Sequence, residues 1–271
     1  MTGAASDPSA VVASVVARLR AAGCVFAEDE AAMLIAEASS VEELERMIEQ
    51  RVDGLPLEII VGFAMFCGRR ILVEPGVFVP RRRTEFLVEQ AAALVTPGAV
   101  VLDLCCGVGA VGAVLLGIHG GIELYAADIE AAAVRSARRN IEPLGGTVFE
   151  GDLYQPLPAG LRGRVDILTA NAPYVPTAEI RLMPPEARLY EPPITLDGGS
   201  DGLDIQRRIA DDAPNWLSPR GRLLIETSER QSPITVEILE RAGLSTTVAR
   251  SDDLDATVVI GAMRRDRAAS S

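Results

Sequence analysis

The stretch VVLDLCCGVGAVGAVLLG, residues 100 to 117, decides how the chain is read. Val100 to Leu104 form an apolar run broken by one carboxylate, Asp103, and Gly107, Gly109 and Gly112 follow at GxGxxG spacing before a second apolar segment. A strand that turns through such glycines into a helix brings backbone N–H groups and a helix N-terminus up to a nucleotide. Asp128 closes the next β-like run, at the distance where a carboxylate accepts from ribose hydroxyls. Asp103 selects among nucleotide cofactors. A dinucleotide sets a pyrophosphate over this turn, which a nearby carboxylate repels, whereas S-adenosylmethionine brings an ammonium and a sulfonium, which it attracts. The pair Asp103 and Asp128 therefore points to S-adenosylmethionine, leaving as S-adenosylhomocysteine. Gly151-Asp152, past the third strand, lies where the adenine would be met, or serves as a turn.

Outward from that motif, the spacing predicts helices over 86–95, 110–117, 130–140 and 232–242. They alternate with strands over 100–105, 122–127, 147–149, 165–170 and 222–226, and strands near 245–249 and 256–261 close the chain. Alternation of β and α at short spacing implies an α/β fold with a doubly wound parallel sheet. Upstream, residues 9–22 carry apolar side chains at helical spacing and stop at Gly23, a second helix is expected over 28–38, and Ser40-Val41-Glu42-Glu43 reads as a capping box for a third. Two β-like runs, 59–67 and 71–74, then read as a hairpin. The expected organisation is a helical docking domain at 1–55, a hairpin linker at 56–84, the sheet domain at 85–265 and a disordered tail at 266–271.

Composition narrows the function classes. The chain has 271 residues, 48% of them hydrophobic and 24% charged, which suits a globular protein with one sizeable core. The formal net charge of −12 makes a phosphate-tracking surface unexpected, so nucleic acid is not the anticipated partner, although Arg81, Arg82 and Arg83 form a local basic patch. No apolar run is long enough to cross a bilayer, and the first ten residues lack the layout of a secretory leader, so a cytoplasmic location is expected. Cys24, Cys67, Cys105 and Cys106 have neither zinc-site spacing nor a disulfide pattern and read as small buried hydrophobes.

The run VDILTANAPYVP, residues 165 to 176, carries the chemistry. It places Asn171 just beyond the carboxyl end of a strand, at the crevice of the sheet. Ala172 is held extended by the following proline, and Pro173 fixes its own φ. The Asn171 side-chain oxygen and the Ala172 carbonyl can each accept one N–H from a planar amino group while Tyr174 packs over it. Gripping both hydrogens orients an otherwise weak amide nucleophile and stabilises the charge that grows on it. No strong base is needed, because the proton can leave after transfer.

The segments NAPY, DLCCGVGAVG, FVPRRRTE, RLYEPPITLDGG and DLDATVVIG together resemble the HemK/PrmC family of protein-glutamine methyltransferases. The family pattern reads NPPY, D-L-G-x-G-x-G, IPRP-x-TE and YEP-x-x-AL, and the likeness covers nearly the whole chain. It implies a Rossmann-like class I S-adenosylmethionine-dependent methyltransferase domain, with the glutamine of a release-factor GGQ tripeptide as acceptor. It also implies that Asn171, Ala172, Pro173 and Tyr174 are catalytic. Asp103, Cys105, Gly107, Gly109, Asp128, Ile129, Asp152, Leu153 and Asn171 would hold the cofactor, with no metal. Three positions depart from the pattern. Ala172 replaces the first proline, Cys105-Cys106 replaces glycine and a hydroxyl residue, and Arg82-Arg83 stands where proline and commonly an acidic residue occur. Methylation of an exocyclic amine on nucleic acid, and cofactor binding without turnover, are the competing readings.

Other candidates read as structure. His119, the sole histidine, sits in a Gly-rich loop and is expected to face solvent, which removes the usual hydrolytic triads. Glu226 ends a strand at the same edge as Asn171 and reads as a structural carboxylate, Trp216 reads as packing under the sheet edge, and the segment after Tyr174 as a substrate-covering loop.

Overall fold

Helix α1 (Pro8–Ala21) gives way at Gly23, whose φ of +93° is the left-handed conformation a helix end commonly uses. Helices α2 (Ala27–Glu37) and α3 (Val41–Val52) follow, and the Ser40 hydroxyl accepts the Glu43 N–H at 3.1 Å to start α3. Their apolar faces meet in a core of Val15, Leu19, Leu34, Met47 and Ile48 that is separate from the cores on the sheet. The protein, a computed structural model, is described over residues 8–264, so the expected tail at 266–271 and residues 1–7 lie outside the described residues.

The run expected as one strand from 59 to 67 is instead two elements. Pro56 opens a short helix, α4 (Leu57–Val61), and Gly62 at φ +81° ends it before strand β1 (Phe63–Phe66) begins. Strand β2 (Arg69–Leu72) pairs antiparallel with β1 across Cys67 and Gly68, whose φ values of 47° and 70° are those of a tight hairpin turn.

Beyond it come α5 (Glu85–Ala92), β3 (Val100–Leu104), α6 (Ala110–Ile118), β4 (Glu123–Asp128), α7 (Ala131–Ile141), β5 (Thr147–Glu150) and β6 (Val165–Ala170). Then follow α8 (Pro185–Tyr190), α9 (Asp204–Trp216), β7 (Leu217–Thr227), α10 (Ser232–Arg241), β8 (Leu244–Ser251) and β9 (Ala256–Met263). The sheet order is β5-β4-β3-β6-β7-β9-β8. Its first five strands are parallel and β9 runs antiparallel between β7 and β8. The sheet is thus not wholly parallel as expected, because the short β8–β9 connection permits only a hairpin. Alternate residues of each strand face opposite layers: Val101 and Ile167 join Leu87, Leu115 and Val134 on one side, while Leu102 and Leu168 join Ile209, Ala213 and Trp216 on the other.

The segment after Tyr174 is not simply a covering loop. It contains α8 and all of α9, whose buried face is Gln206, Ile209, Ala210, Ala213 and Trp216. Trp216 is buried and stacks on Tyr154 with ring centroids 5.3 Å apart. His119 is half-buried rather than exposed. Arg51, buried at the end of α3, binds Glu30 and, at 2.6 Å, Glu186 of α8, which ties the helical unit to the chain that overhangs the sheet edge.

Candidate active site

Strand order reverses beside β3, so the loops after β3, β4, β5 and β6 open at one carboxyl edge and share one cleft. The cleft encloses about 1040 Å³ out to its mouth, enough for a nucleotide-sized ligand. Of the residues expected there, Cys105, Gly107, Asp128, Ile129, Asp152, Leu153, Asn171, Ala172, Pro173 and Tyr174 line it.

Asp103 and Gly109 are not among the lining residues. Asp103 is fully buried within the sheet, where its Oδ1 accepts the Thr169 hydroxyl of β6 at 2.8 Å. Burial pushes its carboxyl up to about 7, against the pull of Thr169 and the Gly112 N–H. Asp103 is thus a buried brace between two central strands, away from the lining of the cleft, with its Oδ2 unpaired among the described residues. Gly109 has φ +79°, and a Cβ there would sit 2.6 Å from Ile141 Cδ1 of α7. Its glycine is required by close packing behind the loop.

Asp128 holds the cofactor side of the cleft in shape. Its Oδ2 accepts the Gly107 N–H at 2.8 Å and its Oδ1 accepts the Glu130 N–H at 2.9 Å, binding two loops to one carboxylate. Each oxygen keeps a lone pair for a hydroxyl, as a ribose diol needs. Burial raises its pKa while these two N–H groups oppose the rise. Asp152 is tied by Arg208 at 2.5 Å, and Ile129 and Leu153 supply apolar walls. Cys105 and Leu153 adopt φ of 52° and 50°, a left-handed conformation that costs a non-glycine residue about 1–2 kcal/mol. Cys105 thus keeps the backbone shape for which the resembling family uses glycine.

Asn171 is set by Thr84, a residue to which no pattern in the sequence assigns a role. Its Nδ2 donates to Thr84 Oγ1 at 3.1 Å, across 87 positions of chain. Among the described residues no donor occupies either Asn171 Oδ1 or the Ala172 carbonyl, so two oxygens are left free to accept. Tyr174 is half-buried; burial beside Glu226 pushes its phenol up to about 12, and Arg83 lies 5.7 Å over its ring. Phe78, Met183, Ile194 and Ile205 form the remaining apolar lip.

The segment 197–202 clamps this motif from outside. Val175 bonds backbone to backbone with Leu196 and Gly198, and the Gln231 side chain donates to the Tyr174 carbonyl at 2.9 Å. Gly202, at φ +81°, approaches so closely that a Cβ would lie 2.3 Å from the Tyr174 carbonyl oxygen. Gly202→Ala should therefore displace residues 171–174. The expected result is loss of methyl transfer together with destabilisation of about 1–3 kcal/mol, read by urea unfolding.

The family model described as "Methyltransferase small domain" matches residues 68–183, from the hairpin to the overhanging segment. A release factor glutamine methyltransferase of Cereibacter sphaeroides is 35% identical over 264 residues, covering 89% of this chain and 92% of the relative. The chain belongs to the release factor glutamine methyltransferase family. A second member, from Geobacter sulfurreducens, is 35% identical over 79% of this chain and 75% of its own length. Another relative, 34% identical over 68% of this chain and 65% of its own length, is the 4-amino-L-phenylalanine/4-methylamino-L-phenylalanine methyltransferase of Streptomyces pristinaespiralis. Among solved structures, the 16S rRNA N2 G1207 methyltransferase of T. Thermophilus in complex with AdoMet and guanosine shares the fold, with a TM-score of 0.52 and 21% identity over 74% of this chain and 50% of that one. As a family member, this chain is an S-adenosylmethionine-dependent N-methyltransferase.

Proposed function

We propose that the cleft methylates the side-chain amide nitrogen of a protein glutamine, that of the GGQ tripeptide in a peptide chain release factor. The observation that carries this reading is the pair of free acceptors, Asn171 Oδ1 and the Ala172 carbonyl, at the mouth of a cleft whose inner end is lined by Asp128. S-adenosylmethionine supplies an electrophilic methyl group on a sulfonium. Asp128 would accept its ribose hydroxyls, Asp152 and the walls of Ile129 and Leu153 would receive its adenine, and Cys105, Gly107 and Asn171 would border the rest.

The two acceptors would each take one N–H of the substrate amide. This orients the nitrogen lone pair inward and places partial negative charge where positive charge develops. Tyr174, neutral across the working pH range, would cover the flat group without competing as an ion. The surplus proton leaves to water through the mouth. The helical unit, expected at 1–55, serves in this reading as the dock for a protein substrate, since Arg51 and Glu186 join it to the overhang. A release factor works at the ribosome, which puts the reaction in the cytoplasm. Among the described residues no helix is long and apolar enough to cross a membrane.

A second reading is a free arylamine as acceptor. It is favoured by the Streptomyces relative and by exposed Arg83, a cation at the cleft that could meet a small substrate's carboxylate. Labelled S-adenosylmethionine offered with release factor, 4-amino-L-phenylalanine and oligonucleotides separates the possibilities. Label on the GGQ glutamine is expected, and label only on the free amine or the nucleic acid would replace the proposal.

A further inference from the structure

We propose that Glu226 is a positioning residue which, acting through the Thr84 hydroxyl, fixes the Asn171 carboxamide with its oxygen toward the bound amide. The inference rests on the reading of Asn171 given above. Glu226 is the penultimate residue of β7, at the edge that carries the cleft, and only 1% of its surface is exposed. Neither of its carboxyl oxygens has a hydrogen-bond partner of good geometry among the described residues, and the one cation at hand, Arg83, keeps its Nε 3.5 Å from Oε1. Its β9 partner in register is Val258. A buried carboxylate so weakly paired costs stability, and an aliphatic residue such as the neighbouring Ile225 would pack there without that cost.

Its value lies one residue away. Thr84, next in sequence to the Arg83 that reaches Glu226, is buried; its oxygen accepts the Asn171 Nδ2 proton, and its hydroxyl acts on the Glu226 carboxyl, whose pKa it lowers. A hydroxyl has a single proton to give. An ionised Glu226 draws that proton toward itself, and Oγ1 can then offer Asn171 only a lone pair. Asn171 must then answer with Nδ2, which leaves Oδ1 facing the cleft. If Glu226 is neutral, Thr84 is free to rotate and donate to Oδ1. The carboxamide can then flip and present N–H to a substrate that itself presents N–H. A charge outside the cleft thus selects which end of Asn171 the substrate meets.

Burial holds the Glu226 pKa above the ordinary carboxylate value, with Thr84 and Arg83 pulling it back. The groups facing it are Arg83 and Thr84 from the turn before α5 and Tyr174 from the β6 loop, and the phenol stays neutral. The competent form is the ionised one, so kcat should fall as pH drops through that raised value. The stability sign is opposite, since a raised folded pKa favours folding only while the group is protonated.

The test compares Glu226→Leu, Thr84→Val, Thr84→Ser and the Glu226→Leu/Thr84→Val double variant, using whichever acceptor the enzyme methylates. S-adenosylmethionine binding and thermal unfolding check integrity. Glu226→Leu and Thr84→Val should each lower kcat about 10- to 100-fold with KM for S-adenosylmethionine unchanged. Glu226→Leu should keep or raise Tm, Thr84→Ser should stay near wild type, and the double variant should be no worse than either single. The acid limb of the kcat profile should vanish in Glu226→Leu. Wild-type kcat in Glu226→Leu, or a loss of kcat that follows a loss of Tm, overturns the proposal, as does full additivity of the two singles. Asn171→Ala serves as the reference: if it leaves transfer intact, the reading of the cleft itself fails, and if it abolishes transfer while Glu226→Leu does not, only this inference falls.

Discussion

Asn171→Ala is expected to lower methyl transfer about 10²- to 10³-fold, the loss typical of removing one preorganised group from a charge-stabilising site. The fall should appear in kcat, because the bond to the substrate amide strengthens as the nitrogen becomes positive. S-adenosylmethionine binding, followed by calorimetry, should change far less, since the two loops that shape the other end of the cleft are held by Asp128 through Gly107 and Glu130. The substitution also removes Nδ2, so the buried Thr84 hydroxyl loses its partner and must rearrange. Some loss of stability, about 1–3 kcal/mol, should accompany the kinetic loss. The two are separable by assaying below the temperature at which unfolding begins. A variant that folds, binds cofactor and still transfers at the wild-type rate would remove Asn171 from the reaction.

Much of this site was legible in sequence because local rules and global placement agree there. The β-branched and aliphatic run from Val100 to Leu104 and the glycines after it can form only a strand and a tight turn, and β6 spans Val165–Ala170 as its pattern predicts. Asn171 and Asp128 follow from where strands end. What was hidden is what the fold alone brings together. Thr84 and Asn171 are neighbours only because the chain before α5 crosses the carboxyl edge, and no periodicity encodes that. Helix α9 was missed because its inward face is filled by Gln206, Ala210 and Ala213 as much as by Ile209, and Pro214 interrupts the sequence of a helix that nevertheless completes its last turn at Trp216. For Asp103 the residue type was read correctly and the direction of its side chain was not. A strand residue faces whichever layer its parity dictates, and a carboxylate near a cofactor loop need not point into it.

That inward carboxylate predicts an unusual pH profile of stability, the second large effect expected. Asp103 moves from the ordinary 3.8 to about 7 on folding, because burial outweighs the hydrogen bond from Thr169. The folded state therefore holds its proton where the unfolded chain has lost it. Folding is favoured fully below the unfolded value, and the advantage disappears as pH rises through about 7. The accumulated loss is about 4 kcal/mol. Asp128, Glu191 and Glu226 are also raised by burial, so their contributions have the same sign. Urea unfolding at successive pH values should give a free energy that declines from about pH 4 to about pH 7, rather than the plateau that paired surface carboxylates produce. Asp103→Asn keeps an acceptor for Thr169, cannot ionise, and should flatten much of the slope. S-adenosylmethionine should bind more tightly as Asp128 ionises, so saturating cofactor should recover part of the loss on the alkaline side. The same variant distinguishes brace from ligand. A carboxylate in direct contact with the cofactor would take binding with it when neutralised, whereas one locked between β3 and β6 should alter the pH slope strongly and cofactor affinity only modestly.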